Sequence, residues 1–170
     1  IDLRAQKVNP LDRLNRERTG PIASYLPADP AHIICPWADG SLRRVEVRTG
    51  KSVQIERAVP GINRWIFDVT GTPWAGLGYL GEKWIFIWRN APGAPWQRRE
   101  LPGKNNPAIV PMALMPDHKR LVVIDRVPGL PDRLSAFDLT TATLEVIFQP
   151  ERADVTALRL WGPAGVPAVA

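Results

Sequence analysis

Few side chains in this sequence could carry nucleophilic catalysis. It contains two histidines, His32 and His118, and four serines, which are Ser24, Ser41, Ser52 and Ser135. The serine nucleophile of an α/β-hydrolase lies in a Gly-X-Ser-X-Gly turn that leads from a strand into a helix, and an Asp and a His complete its triad. No serine of this sequence has that context, and Gly40-Ser41 instead begins a strand after a turn. The sequence therefore predicts no catalytic triad.

Metal ligands are equally scarce. The single cysteine, Cys35, lies in an apolar stretch, which predicts a buried, small hydrophobic side chain. One cysteine and two histidines do not make a zinc site. The carboxylates Asp125, Asp132 and Asp138 recur irregularly at predicted strand ends and turns. A calcium site needs several acids that converge, so we expect no metal.

Residues 76–81, Gly-Leu-Gly-Tyr-Leu-Gly, have the glycine spacing of a dinucleotide-binding loop. Such a loop follows a strand and opens a helix. Here an apolar strand pattern follows at residues 84–88, so we interpret the glycines as a bend between two strands. The sequence predicts no cofactor.

Five of the seven tryptophans fall close together and could stack on a ligand: Trp65, Trp74, Trp84, Trp88 and Trp96. Trp84 and Trp88 share one strand face with Phe86, an arrangement typical of sheets packed face to face. We therefore predict that the cluster belongs to the core. Trp96 follows a Pro/Gly-rich loop, so a ligand contact stays open for it.

Two arginine pairs, Arg43-Arg44 and Arg98-Arg99, could bind an anionic group such as a peptide carboxylate. Adjacent strand residues point to opposite faces, so each pair offers one arginine per side. We therefore predict solvated positions at the rim of the fold for both pairs.

Charge and composition narrow the class of partner. The 170 residues include 22 basic and 17 acidic side chains, and acids separate the arginines, as in Arg44-Val45-Glu46-Val47-Arg48. A nucleic-acid interface would concentrate the positive charge with aromatics, so we expect no nucleic acid as partner. No apolar run reaches about 18 residues, so no membrane-spanning helix and no membrane partner are expected. The sequence leaves the compartment open between bacterial periplasm and cytoplasm.

A hairpin signature recurs along the chain. It alternates apolar and polar residues, turns at a Thr-Gly or Thr-Thr pair, and alternates again. The copies lie at residues 42–55 and 134–147, with a longer loop at 84–101 and in degenerate form at 14–26. Further strand patterns lie at residues 32–37, 65–69, 73–79, 109–115, 121–124 and 155–160, with another beginning at 167. Repeats of about 40 to 50 residues with several short strands are typical of β-propeller blades.

We therefore predict an all-β chain, a partial β-propeller made of four-stranded antiparallel blades. Its single domain, residues 1–170, divides into units at about 1–60, 61–103 and 104–150, and a further unit begins at 151–170. A β-sandwich or an open stack of sheets built from the same hairpins is the alternative. Thirteen glycines and 18 prolines spread along the chain support many short elements joined by turns.

The blade units carry a family resemblance. It rests on residues 45–51, Val-Glu-Val-Arg-Thr-Gly-Lys, and 137–143, Phe-Asp-Leu-Thr-Thr-Ala-Thr, with support from 65–68, 71–73 and 90–96. These segments resemble the N-terminal β-propeller of prolyl oligopeptidase-family serine peptidases, and the likeness covers most of residues 30 to 160. TolB-like and lactonase-type propellers use similar hairpins.

The resemblance implies a propeller that sits over a C-terminal α/β-hydrolase domain and restricts which peptides reach its active site. That hydrolase domain is absent from these residues. The expected function is therefore a non-catalytic segment that gates or recognises peptide substrates, with the hydrolase domain of the same parent chain as partner. The alternative is a self-standing module that binds protein or small ligands and completes itself by homo-oligomerisation.

Overall fold

All regular elements in the described part of the chain are β-strands. The computed structural model describes residues 21–103, 105–152 and 154–155. The first half of the degenerate hairpin at 14–26 and the strands predicted beyond residue 155 lie outside these residues. Within them no helix has the length and hydropathy needed to cross a membrane.

The strands are short and follow one another at regular intervals. In chain order they are β1 (Ser24–Tyr25), β2 (His32–Pro36), β3 (Leu42–Glu46), β4 (Ser52–Glu56), β5 (Ile62–Phe67), β6 (Pro73–Leu80), β7 (Lys83–Trp88), β8 (Gln97–Leu101), β9 (Ile109–Leu114), β10 (Arg120–Asp125), β11 (Arg133–Asp138) and β12 (Leu144–Phe148). The three clear hairpin predictions are confirmed as β3–β4, β7–β8 and β11–β12.

Four consecutive strands form each sheet. The described residues make sheets β1-β2-β3-β4, β5-β6-β7-β8 and β9-β10-β11-β12, and every neighbouring pair is antiparallel. A meander of four strands is the form of a propeller blade. A Greek-key sandwich would distribute consecutive strands over two sheets, and the described strands do not follow that order. The prediction of an all-β chain of four-stranded blades is confirmed.

The chain divides into two compact units. Of the described residues, unit 1 takes those up to Pro60 together with Val69–Gly71, and unit 2 takes Gly61–Asp68 and those from Thr72 onward. Unit 1 contains the first sheet, and unit 2 contains the second and third. The three sheets lie within the ranges predicted for the first three blades. The assignment of residues 1–170 to one domain stays a prediction.

The core of unit 1 lies on its sheet. Ile33, Cys35, Trp37 and Val45 form one buried cluster, and Cys35 is fully buried, as predicted. Gly71 packs against Leu26 and Ile34 of this unit. Its φ is +88°, and a Cβ there would lie 2.7 Å from methyl groups of both residues. The segment Val69–Gly71 therefore fits against this core only with glycine at its end.

The two sheets of unit 2 are closest at their first strands. Backbone contacts between them run from β5 and β6 to β9. Farther out, aromatic rings fill the gap: the Phe137 ring lies 5.1 Å from Phe86 and 5.0 Å from Trp88, both edge-on. Edge-on rings at these distances add about 1 kcal/mol each beyond the area they bury. The predicted core role of Trp88 and Phe86 is confirmed, and the sheets form a wedge that opens toward β8 and β12.

Asp138 holds the turn between β11 and β12. Its carboxylate accepts the backbone N–H groups of Thr140 and Thr141 at 2.8 Å each, and these bonds lower the pKa of Asp138 from its ordinary 3.8. A carboxyl whose pKa is lower in the folded state stabilises the fold above its unfolded pKa and loses this effect as the pH falls through the folded value.

We expect Asp138→Asn to weaken the acid dependence of stability. Asparagine can still accept the two N–H bonds but does not titrate, so the loss of stability between about pH 5 and pH 2 becomes smaller. Urea unfolding across that range measures it. Glu82→Gln removes an exposed carboxyl from the β6–β7 turn and is the control. An unchanged acid profile in Asp138→Asn would show that the turn contributes nothing.

Candidate functional site

The serines and histidines do not form a nucleophilic site. Within the described residues, Ser41 and Ser135 bond through their hydroxyls to Asp39 and Asp125, and no hydrogen bond joins a serine to a histidine. Ser24 lies in β1 and Ser52 in β4. His32 begins β2 and bonds through Nδ1 to Asp29. His118 is a turn residue, as predicted, with φ at +55° and its ring 5.4 Å from that of Trp74.

The three aspartates considered for calcium have other partners. The Asp125 carboxylate accepts from Arg133 and that of Asp132 from Arg126, both at 2.8 Å, while Asp138 binds backbone N–H groups. The parts of the chain that the structure describes contain no group of three His, Cys, Asp or Glu placed to hold a metal ion. These carboxylates stabilise loops and strand ends by charge-assisted hydrogen bonds.

The arginine pairs distribute as the strand alternation predicts. Arg43 bonds to Asp39 and lies over the Trp37 ring, whereas Arg44 bonds to Asp29. In the second pair, Arg99 lies over Trp88 at 5.5 Å and donates to the carbonyl of Ala142. One arginine per face is confirmed. The predicted solvated position at the rim is wrong for Arg43 and Arg44. Both are half-buried, and each pairs with an acid.

Trp96 has an intramolecular partner on each side. The Arg89 guanidinium lies 4.4 Å from the centre of its ring, and the Trp65 ring lies 5.7 Å away. Arg89 is itself buried and donates through Nε to the carbonyl of Pro73 at 2.7 Å. The half-buried Trp96 therefore caps a buried arginine, so its main role in unit 2 is structural.

The glycine motif lies inside strand β6 rather than at a bend. Gly76 and Gly78 both pair with neighbours in the sheet, and the chain turns only at Gly81-Glu82. A Cβ on Gly78 would lie 1.7 Å from the carbonyl oxygen of Gly61, and a Cβ on Gly76 would lie 2.6 Å from a methyl of Ile62. Gly76 and Gly78 let the start of β5 approach β6. The prediction that they form a bend between two strands is therefore wrong.

This close approach goes with a bulge in β5. Ile62 pairs with Gly78 but Arg64 pairs with Leu77, so Asn63 is an extra residue without a partner in the register. A bulge redirects the side chains on either side of it, and bulges are frequent next to binding sites. In unit 2 the bulge lies on the strand where the two sheets converge.

Arg64 follows the bulge and lies against the neighbouring sheet. Its Nη2 atom is 3.6 Å from the sulfur of Met112 on β9. Partial burial lowers the pKa of its guanidinium, because the surroundings disfavour the charged form. Among the described residues no carboxylate accepts from Arg64. Its outer part remains exposed, so it can meet a ligand.

A shallow cavity lies elsewhere in unit 2. It measures about 450 Å³ and is lined by Tyr79, Glu82, Lys83, Leu101 and Gly103. Lys83 is already bonded to Glu100 at 2.6 Å. With its cation neutralised, this cavity is a weaker candidate than the edge at Arg64.

The candidate site is therefore the converging edge of unit 2, which we define as Asn63, Arg64 and Met112. Sequence reasoning singled out the paired arginines and missed Arg64. No local signal marks it, because its setting depends on the bulge opposite Leu77 and Gly78 and on a strand almost 50 residues away.

Comparison with known proteins gives a distant structural similarity. No family model matches the chain, and no curated protein matches it. Among solved structures, the chain is similar to TolB from Acinetobacter baumannii, at 13% identity and a TM-score of 0.32, over 71% of this chain. The matched part spans 41% of that TolB chain. The class that the strand order defines is an all-β protein of four-stranded propeller blades.

Proposed function

We propose that this chain is a non-catalytic β-propeller segment that recognises or gates peptides for a serine peptidase of the prolyl oligopeptidase type. The hydrolase domain would follow in the same parent chain. One observation carries the proposal: the two blades of unit 2 converge on an edge that holds an arginine without a carboxylate partner among the described residues. The resemblance of residues 45–51 and 137–143 to blades of that family supports the choice of parent.

The converging edge suits an extended peptide. β5 and β9 are both edge strands of their sheets, so each leaves backbone N–H and C=O groups on its free side. A peptide can bond to such groups along its own backbone. The side chains add a cation, Arg64, and an adaptable apolar surface, Met112. A peptide can supply backbone groups, an anionic group and an apolar side chain, which match these three features.

An array of immobilised decapeptides with free carboxyl termini tests this function. We expect the chain to be retained on a subset of peptides and to leave every peptide intact by mass spectrometry. Retention on none of them would overturn peptide recognition. We expect no cleavage, because no serine–histidine pair is available within the described residues to perform it. Cleavage of any peptide would overturn the non-catalytic assignment.

A second function, a binding module that completes itself by oligomerisation, is favoured by β12. This strand is the outer edge of its sheet, and all five of its residues are exposed, four of them apolar: Leu144, Val146, Ile147 and Phe148. The outer edge β8 carries charges instead, in Gln97-Arg98-Arg99-Glu100. Charged residues protect an edge strand from pairing with another chain, and β12 lacks most of that protection.

Two copies of β12 are self-complementary in antiparallel register. With Val146 facing Val146 of a second copy, Leu144 faces Phe148 and Glu145 faces Ile147, so no two charges meet. Five residues a side make a small interface, so the dimer would be weak.

We expect Val146→Lys to abolish this association, because it places two ammonium groups opposite each other. Sedimentation velocity from about 10 to 500 μM measures it, and Val53→Lys on β4 is the matched control, since Val53 is 70% exposed on another outer strand. A native chain that stays monomeric throughout, or a dimer equally lost in Val53→Lys, would contradict the module.

A further inference from the structure

Arg64 differs in its partners from several half-buried arginines of the described chain. Arg43, Arg44, Arg126 and Arg133 each bond to an aspartate. Arg64 is exposed at the edge and lies beside Met112 with no such acid among the described residues. An accessible guanidinium without a carboxylate partner keeps its planar set of N–H donors available, and an anionic ligand at that place can accept from them.

Two features of the local backbone place Arg64 at this edge. Gly76 and Gly78 have no Cβ where one would strike Ile62 and Gly61, and the bulge at Asn63 interrupts the register between β5 and β6. The same interruption sets Arg64 opposite Leu77 and beside the β9 strand. Bulges of this kind re-aim a side chain, and here the Arg64 side chain lies beside Met112 on β9.

We propose that Arg64 binds a carboxylate of the peptide ligand, with Met112 contacting the apolar group next to that carboxylate. This inference rests on the proposed function and adds the chemical class that the site selects. Arginine suits the role because its planar fork matches the two oxygens of a carboxylate and is weakly hydrated. The exposed Asn63 amide can donate or accept a further hydrogen bond to the same group.

Phenylacetate is the probe, because it carries one carboxylate beside one apolar ring. In ¹⁵N-labelled full chain, we expect saturable shifts of the Arg64 Nε–H resonance on titration with phenylacetate and none with neutral phenylacetamide. The resonance is assigned by its loss in Arg64→Gln. No shift with phenylacetate, or equal shifts with both compounds, would overturn the inference.

The variants separate a carboxylate site from a general effect of charge. Arg64→Gln should weaken phenylacetate binding about tenfold or more, since a charge-assisted hydrogen bond is lost. Arg64→Lys should recover only part of it, because an ammonium lacks the fork. Arg57→Gln removes the same charge from an exposed residue outside the edge and should change nothing. Equal weakening in Arg57→Gln would overturn the inference.

Peptide arrays distinguish this inference from the proposed function. Amidated copies of the retained decapeptides remove the terminal carboxylate, and Asp→Asn and Glu→Gln copies remove the side-chain ones. We expect one of the two changes to abolish retention by the native chain and to have no further effect on Arg64→Gln. Retention that survives both changes would overturn the carboxylate site while peptide recognition stands. Retention on no peptide would overturn peptide recognition. The phenylacetate titration would then still test whether Arg64 binds a carboxylate.

Discussion

Phe137→Ala should cost about 3–5 kcal/mol of the free energy of unfolding, the largest loss that we expect from a single core substitution. Phe137 is fully buried and meets the rings of Phe86 and Trp88 edge-on, so its loss leaves a cavity between the two sheets of unit 2. Urea unfolding followed by tryptophan fluorescence measures this, and Trp88 reports on the site directly.

Phe148→Ala is the matched control. Phe148 is 46% exposed on the outer strand β12, so we expect less than about 1 kcal/mol from the same change of residue type. A loss below about 1 kcal/mol in Phe137→Ala, or equal losses in the two variants, would contradict the wedge in which aromatic rings join the second and third sheets.

Gly78→Ala should destabilise unit 2 by about 3 kcal/mol, although it adds a single methyl group. The new Cβ would lie 1.7 Å from the Gly61 carbonyl oxygen and 2.7 Å from the Ile62 Cα. Backbone atoms cannot rotate away as a side chain can. The start of β5 must therefore separate from β6, and the bond from Tyr79 N–H to the Gly61 carbonyl, 2.8 Å long, is lost.

The control for this variant is Gly81→Ala. Gly81 has φ +53°, and a Cβ there meets no atom within 4 Å, so only the strain of the left-handed conformation remains, about 1 kcal/mol. Thermal and urea unfolding compare the two. Equal stability of Gly78→Ala and the native chain would mean that β5 does not approach β6 as closely as described. We also expect Gly78→Ala to lose the response of Arg64 to phenylacetate, because Arg64 follows the displaced segment.

The strands were predictable because their signal is local. Alternation with a period of two, as in Val45-Glu46-Val47, together with a Thr-Gly or Thr-Thr turn, is contained within one hairpin. Repetition of the hairpin indicated blades, since four-stranded units recur at about this spacing in propellers. The burial of Cys35 and of the face shared by Phe86 and Trp88 followed from the same alternation.

The candidate site was not predictable in the same way, because its residues acquire their roles from distant partners. Arg44 looked solvated in the sequence, yet it pairs with Asp29, which lies 15 residues earlier. Arg64 looked ordinary, yet it lies beside Met112, on another sheet. The glycines at 76 and 78 read as a bend because glycine is frequent in turns, whereas here they admit a neighbouring backbone.

These observations support one proposal. Two blades converge at β5 and β9, the missing side chains of Gly76 and Gly78 allow a bulge there, and the bulge sets Arg64 at an edge where a peptide can pair with the backbone. We propose that this edge recognises a peptide ligand. The proposed function places catalysis in a hydrolase domain of the parent protein.

The measurement that tests this central claim most directly is the size and reactivity of the native protein in its source cells. An antibody raised against these 170 residues detects it, and a fluorophosphonate probe labels an activated serine. We expect a probe-labelled band at roughly three to four times the 18.9 kDa of this chain, the size of a propeller with a hydrolase domain. An unlabelled band near 18.9 kDa would contradict the proposal and leave the self-associating module in its place.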